Sequence, residues 1–224
     1  MQFAFIDESE PLGAGNSGPY VMVATLPQCG EMADLQDLRR SLVALKPKGA
    51  IKLHWYDNVG ALKDETVSVI SAMPLTHWAV VVHPEAGDRS ERTRRACITR
   101  LFWELDRLDV VDRVVFESRG QSDDRRDMAM VQALRASRVI GSRMRVEHVR
   151  GSSEPLLWLP DAVCGAVNGR VTGRDLWADR LDHQLRIVTE MRETRAPQSA
   201  GNPGFTSPAS AKGELPTDSI RTRV

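Results

Sequence analysis

Cysteine is scarce in this sequence, which has three: Cys29, Cys97 and Cys164. They are odd in number, widely spaced and without a CxxC pair, so neither a disulfide framework nor a zinc knuckle is expected. Long apolar runs are lacking too, and no stretch approaches the roughly 20 residues that a membrane span needs. The start, Met1-Gln2-Phe3-Ala4-Phe5-Ile6-Asp7-Glu8, has no basic segment and meets two acids almost at once, unlike a signal peptide. The expectation is a chain that begins at its mature end and works in the cytoplasm. Net charge is zero, with 30 basic and 30 acidic side chains. Without a global positive field, any nucleic-acid binding has to come from a local face. No Gly-rich phosphate loop, GxSxG elbow or HExxH appears, and Ser9 has no evident histidine base, which argues against a serine hydrolase.

What is present is an ordinary globular composition, 42% hydrophobic and 27% charged over 224 residues, enough for one large domain with a tail. Gln2 to Ile6 is a short apolar run ending in Asp7-Glu8-Ser9, followed by Pro11, Gly13, Gly15 and Gly18: a strand feeding a turn-rich loop. Tyr20 to Leu26 is a second strand, closed by Pro27, and antiparallel pairing of the two is the simplest arrangement. Met32, Leu35, Leu38, Leu42 and Leu45 recur at three and four, which predicts an amphipathic helix. Ile51 to Asp57 is mixed in character, an ordered loop or short strand. A helix is expected over Lys63 to Met73.

Trp78 to His83 predicts a buried strand, Glu91 to Leu108 a long helix, and Arg113 to Glu117 another strand. A basic helix follows to about Arg138, then a fifth strand over Met144 to Val149. Leu156 to Asn168 and Leu176 to Arg192 are expected as the last helices. After Arg195 the sequence turns to Pro, Gly, Ser and Thr with few apolar residues. The expected division is a domain over 1–195 and a disordered tail over 196–224. Early strands without long crossovers predict antiparallel pairing, later ones separated by helices predict parallel crossovers, and the sum is a mixed sheet flanked by helices.

Three acids share one kind of position. Asp7 closes the first strand, Glu117 closes the fourth, and Asp161 opens the helix after the fifth. If the first and fourth strands are neighbours, their side chains on one face lie about 5 Å apart. Carboxylates that close repel unless one is protonated or a cation lies between them. Magnesium suits such a place, since it takes hard oxygen ligands from one or two carboxylates, water and phosphate. Pro160 is expected at the first helical position, with Asp161 in the first turn where the helix dipole favours an anion. Asp161 as a plain helix-start acid is an equal reading. The small residues Ala162, Gly165, Ala166 and Gly169 would let this helix approach a sheet closely. Glu8 should point to the opposite face from Asp7 and is left out of the set.

Phe5-Ile6-Asp7-Glu8-Ser9, together with Leu157-Trp158-Leu159-Pro160-Asp161-Ala162 and the small residues after it, resembles the domain of unknown function 3800 family. That family has a strand ending in Asp-Glu-Ser-Gly and a late helix of the pattern Leu-Gln-Leu-Ala-Asp. The resemblance runs from about Gln2 to Val171. Glu10 replaces the usual glycine and Pro160 the usual alanine. It implies a ribonuclease H-like α/β fold, here with a mixed five-stranded sheet whose first three strands are antiparallel and later ones parallel. By position it supports Asp7, Glu117 and Asp161 as catalytic metal ligands, although Glu147 and Asp112 also border strands. Ribonuclease H-like folds often add an acid on the helix after the third strand, where Glu91 stands.

His54 is read as a contact to substrate or hydroxide, with hydrogen bonding or packing as its alternative role. Arg119, two residues past Glu117, is read as a phosphate contact, with a salt bridge to a carboxylate equally open. Arg125, Arg126, Arg135 and Arg138 on the basic helix could line a polyanion or form a solvated face. His77 and His83 are read as structural. The function expected is a nuclease using Mg2+ or Mn2+ on DNA or RNA, two ions about 3.5–4 Å apart activating water. The alternative is a non-catalytic binding or scaffold domain on the same fold.

Overall fold

Every residue of β2 (Tyr20–Pro27) is buried, and a strand buried on both faces needs helices above and below it. In the computed structural model β2 pairs antiparallel with β1 (Gln2–Ser9) on one side and with β3 (Leu75–His83) on the other. Around this meander, β4 (Val111–Glu117) lies parallel to β1 and β5 (Arg145–Val149) parallel to β4. A further strand, β6 (Leu185–Met191), lies parallel to β3, so the sheet order is β5-β4-β1-β2-β3-β6. The structure describes residues 1–10, 18–28, 32–85, 87–174 and 176–191. The tail expected over 196–224 lies outside the described residues, as does Cys29.

Among the described residues, five α-helices flank the sheet: α1 (Met32–Leu45), α2 (Gly60–Ser71), α3 (Ser90–Leu108), α4 (Gln121–Ala136) and α5 (Trp158–Val171). The pleat divides their partners. Phe5, Val21, Val23 and Val115 pack with Leu42 of α1, Ile70 of α2 and Val163 of α5. Ala4, Ile6, Met22 and Phe116 pack on the other face with Ile98 of α3 and Val131 of α4. Among the described residues no helix is long and apolar enough to cross a membrane.

The mixed sheet flanked by helices is the expected one, with two corrections. It has six strands instead of five, because the helix expected over Leu176 to Arg192 is a short 3-10 helix, Trp177–Leu181, followed by β6. Leu181, Leu185 and Val188 mimic helical spacing, but the β-branched run Ile187-Val188-Thr189 suits a strand, and the open edge of β3 supplies its partner. Pro160 is the third residue of α5, not the first, because a 3-10 turn, Pro155–Leu157, leads directly into the helix. A proline in the first turn still removes no helical hydrogen bond. Ile51 to Asp57 is a loop of bends and turns.

Glu8 follows Ile6 on the α3 and α4 face and enters a buried charge network. Arg94 is 2% exposed and forks between Glu8 at the end of β1, 2.8 Å away, and the Asp127 Oδ2 atom of α4, 2.9 Å away. Arg119 adds a contact to Glu8 at 3.3 Å, and His148 Nε2 lies 3.2 Å from Asp127. Burial alone would raise the Asp127 pKa, but hydrogen bonds from His148 and Arg94 and the charges of Arg94 and Arg119 bring it below the ordinary value. The network ties together the ends of β1, β5, α3 and α4. Removing one partner of such a pair strands the other charge in the interior. Arg94→Met is therefore expected to lower unfolding free energy by about 3–5 kcal/mol in urea melts; a loss within experimental scatter would show that the clamp is dispensable.

Candidate metal centre

Asp7 stands two residues after Phe5, and Glu117 two after Val115, and Phe5 is paired with Val115 in the parallel register. Both acids therefore leave the sheet on the same face, at the carboxyl ends of adjacent strands, where open α/β sheets bind their ligands. Packed across β1 and β2 on that face, α5 brings in the third acid. Cys164 donates its thiol to the Asp7 carbonyl oxygen at 3.3 Å, and Asn168 Nδ2 donates to Ser9 Oγ at 3.1 Å. One turn earlier on the helix, Asp161 faces the same space.

The three carboxylates feel one another. Burial, followed by the charges of Asp161 and Glu117, pushes the Asp7 carboxyl well above the usual range. Burial also raises Asp161, although a hydrogen bond from Trp55 N and the nearby charges of His54 and Lys52 act the other way. Partners for these acids come mostly from the 51–57 loop. Lys52 Nζ donates to Glu117 Oε1 at 2.7 Å, and Trp55 N donates to Asp161 Oδ2 at 2.8 Å. Burial would lower the Lys52 pKa, but Glu117 first, then Asp161 and Asp7, outweigh it and keep the ammonium charged. Asp7 Oδ1 accepts from the backbone N–H of Glu8 at 2.8 Å. Among the described residues, no three ligating side chains stand close enough as they lie to hold an ion.

Two glycines make room for this arrangement. A Cβ on Gly151, just after β5, would sit 2.4 Å from Glu117 Oε1, so the loop can pass beside the carboxylate only without a side chain. A Cβ on Gly165 would sit 1.9 Å from the Trp55 ring. Gly165 thus belongs to the small-residue stripe for the sake of the loop, whereas Ala162, Ala166 and Gly169 are buried along α5. Trp55 packs edge-on to Trp177 at 5.2 Å, and Lys63 Nζ lies 5.1 Å from its ring. Anchored this way, the loop holds its backbone against Asp161.

His54 reaches the rim of the site: Nδ1 lies 2.9 Å from Asp57 and Nε2 lies 3.9 Å from Asp161 Oδ1. Arg119 does not reach it. Its side chain turns to the other face of the sheet, to Glu8 and to Asp127 at 3.8 Å, so of its two expected roles the salt bridge is the one formed, with carboxylates outside the set. Of the rival acids, Asp112 accepts from Gln2 N at the opposite end of the sheet, and Glu147 pairs with Arg113. Glu91 is exposed at the start of α3, which packs on the other face. His77 is structural, buried in β3 with Nδ1 2.8 Å from Thr25 Oγ1, and burial followed by the charge of His183 lowers its pKa to about 3.

Lys52 and Trp55 were not picked out by sequence reasoning. The signal was an alternation in Lys52-Leu53-His54-Trp55: Leu53 and Trp55 are buried, whereas Lys52 and His54 face the acids.

No protein-family model and no curated protein matches the chain. Solved structures do. A chain of the PCNA:RNase HII complex from Archaeoglobus fulgidus matches at 17% identity and a TM-score of 0.51, over 78% of this chain and 76% of that one. Ribonuclease H2 from Pyrococcus horikoshii OT3 matches at 11% identity and a TM-score of 0.47, over 78% and 75%. The first likeness shows the fold, which is ribonuclease H-like.

Two outcomes follow from this geometry. Gly165→Ala should displace the Trp55 ring, cost about 1–3 kcal/mol as overpacking does, and shift the tryptophan emission; an unchanged melt and spectrum would mean the loop does not depend on that contact. The second concerns pH. A carboxyl whose native pKa is raised binds more protons folded than unfolded, between its ordinary value of about 3.9 and its native one. In that window stability rises as pH falls, and Asp127, with its lowered pKa, contributes the opposite slope only further into acid. In EDTA, wild-type Tm should therefore climb on mild acidification from neutral pH, and Asp7→Asn should flatten the climb. A slope fully retained in that variant would contradict the assignment.

Proposed function

We propose that the chain is a divalent-metal-dependent nuclease, with Asp7, Glu117 and Asp161 as the ligands of Mg2+ or Mn2+ and DNA or RNA as the substrate. The observation that carries this reading is that Asp7 and Glu117 leave adjacent strands on one face, with the nearby charge of Asp161 joining that of Glu117 and burial to drive Asp7 well above the ordinary carboxylate range. The donor set consists of hard oxygens, the kind these cations take. Bound there, such an ion supplies Lewis-acid activation of water and stabilisation of the leaving oxygen.

The chain's own residues provide the frame. β1 and β4 fix Asp7 and Glu117 at the carboxyl ends of two adjacent interior strands, and Trp55 N orients Asp161. Lys52 offsets the negative charge that an approaching phosphodiester would otherwise meet, and the His54 imidazole borders the opening. Support also comes from the fold likeness to a complex that contains RNase HII and from the resemblance to the domain of unknown function 3800 family.

A non-catalytic binding domain is the second reading, favoured by the ammonium of Lys52, which already neutralises Glu117 without any metal. The two part in one experiment. The nuclease reading expects Mg2+ or Mn2+ to raise Tm, by an amount equivalent to about 2.7 kcal/mol at a hundredfold excess over Kd, and to support cleavage of labelled oligonucleotides. Asp7→Asn should lose both while keeping its circular dichroism spectrum. Cleavage undiminished in Asp7→Asn would sink the metal assignment, and a wild type with no shift and no cleavage would leave the binding domain.

A further inference from the structure

We infer that the open groove beside Glu117 is the track along which the sugar–phosphate backbone of a nucleic-acid strand lies, gripped by Arg125 and Arg150. The groove has a volume of about 1040 Å3 and shares Lys52 and Glu117 with the carboxylate site, so the two are continuous. Its far walls are the start of α4, with Arg125, and the loop after β5, with Arg150 and Ser152. The choice of ligand, a phosphodiester strand, rests on the nuclease reading of the neighbouring acids.

Position in the groove together with the lack of an ion pair singles out these two arginines. Of the four on the basic helix segment, Arg126 pairs with Asp123 at 2.8 Å and Arg135 donates to the Met144 carbonyl oxygen. Arg138 has a left-handed backbone, with φ of 58°, beyond the end of α4. Arg125 lines the groove instead, and among the described residues neither it nor Arg150 has an ion-pair partner. Both are exposed. The acids of the groove are already engaged. Glu117 is held by Lys52, and Asp124 accepts from Ser118 Oγ at 2.7 Å and from Arg119 N at 3.2 Å. Two free guanidinium groups thus face a channel whose carboxylates are internally satisfied, and guanidinium geometry suits phosphate oxygens. A neutral protein can bind a polyanion through such a local face.

The test is fluorescence anisotropy of labelled single-stranded DNA, single-stranded RNA, RNA–DNA hybrid and duplex DNA on the full chain in EDTA, where no cleavage occurs. At least one form should bind. Arg125→Ala and Arg150→Ala should each weaken it about tenfold, as loss of a charged hydrogen bond does. Each should also lower the salt slope of binding by about 0.7–0.9. Arg143→Ala, which removes one positive charge elsewhere, should leave affinity unchanged, and all three variants should melt with the wild type. Unaltered affinity in both groove variants, or an equal loss in Arg143→Ala, overturns the groove even if metal-dependent cleavage is found. Binding that depends on both arginines without any metal-dependent cleavage supports the groove and overturns the nuclease reading alone.

Discussion

At the end of β1 two adjacent carboxylates, Asp7 and Glu8, must leave the strand on opposite faces, because successive side chains of a strand alternate. Nearly everything distinctive in the molecule follows from that division. Glu8 falls on the α3 and α4 side, where Arg94 is 2% exposed and satisfies it together with Asp127. Asp7 falls on the α5 side, among other acids. One face of the strand end is therefore neutralised and locked, and the other is left with excess negative charge. A sheet edge carrying both acids on one face would have neither the clamp nor the separated site.

The locked face makes the charged face possible. Carboxylates held together repel, and a flexible strand end would relax by splaying apart. Here β1, β5, α3 and α4 are tied by Arg94, Asp127 and His148, and β1 is also held from the other side by hydrogen bonds from Cys164 and Asn168 of α5. The repulsion is instead absorbed as a raised Asp7 pKa and as attraction for Lys52. Functional sites commonly sit where such perturbation is built in. The excess charge is a local property of the fold, invisible in a net charge of zero.

How much of this was legible in the sequence depended on the range of the interactions involved. Asp7 was readable because an acid closing an apolar strand is a local pattern, and its separation from Glu8 is a consequence of strand geometry alone. Glu117 needed a choice among strand-border acids, which only the parallel register of β1 and β4 makes. Arg119 turns away from the acids, to Glu8 and Asp127, because residues past a strand end no longer keep its alternation. Lys52 and Trp55 depend on a glycine more than a hundred residues away, Gly165, and no spacing rule connects them. The helix expected over Leu176 to Arg192 failed for the same reason, since the edge of β3 decides the conformation of β6.

The position of β5 explains why the groove opens where it does. It is an edge strand, short and only partly buried, and among the described residues no further strand pairs beyond it. The loop after β5 must also pass close to Glu117, and Gly151 permits this by presenting no side chain. Had a larger residue stood there, the carboxylate would be displaced and the groove cut off from the acids. Instead the residues on either side of Gly151, Arg150 and Ser152, line the same channel. Negative charge is thus concentrated at the end of the channel and positive charge along its walls. That polarity favours an extended anion whose backbone is held at a distance from the acids, and it would serve poorly for a free anion that could bind only at one point.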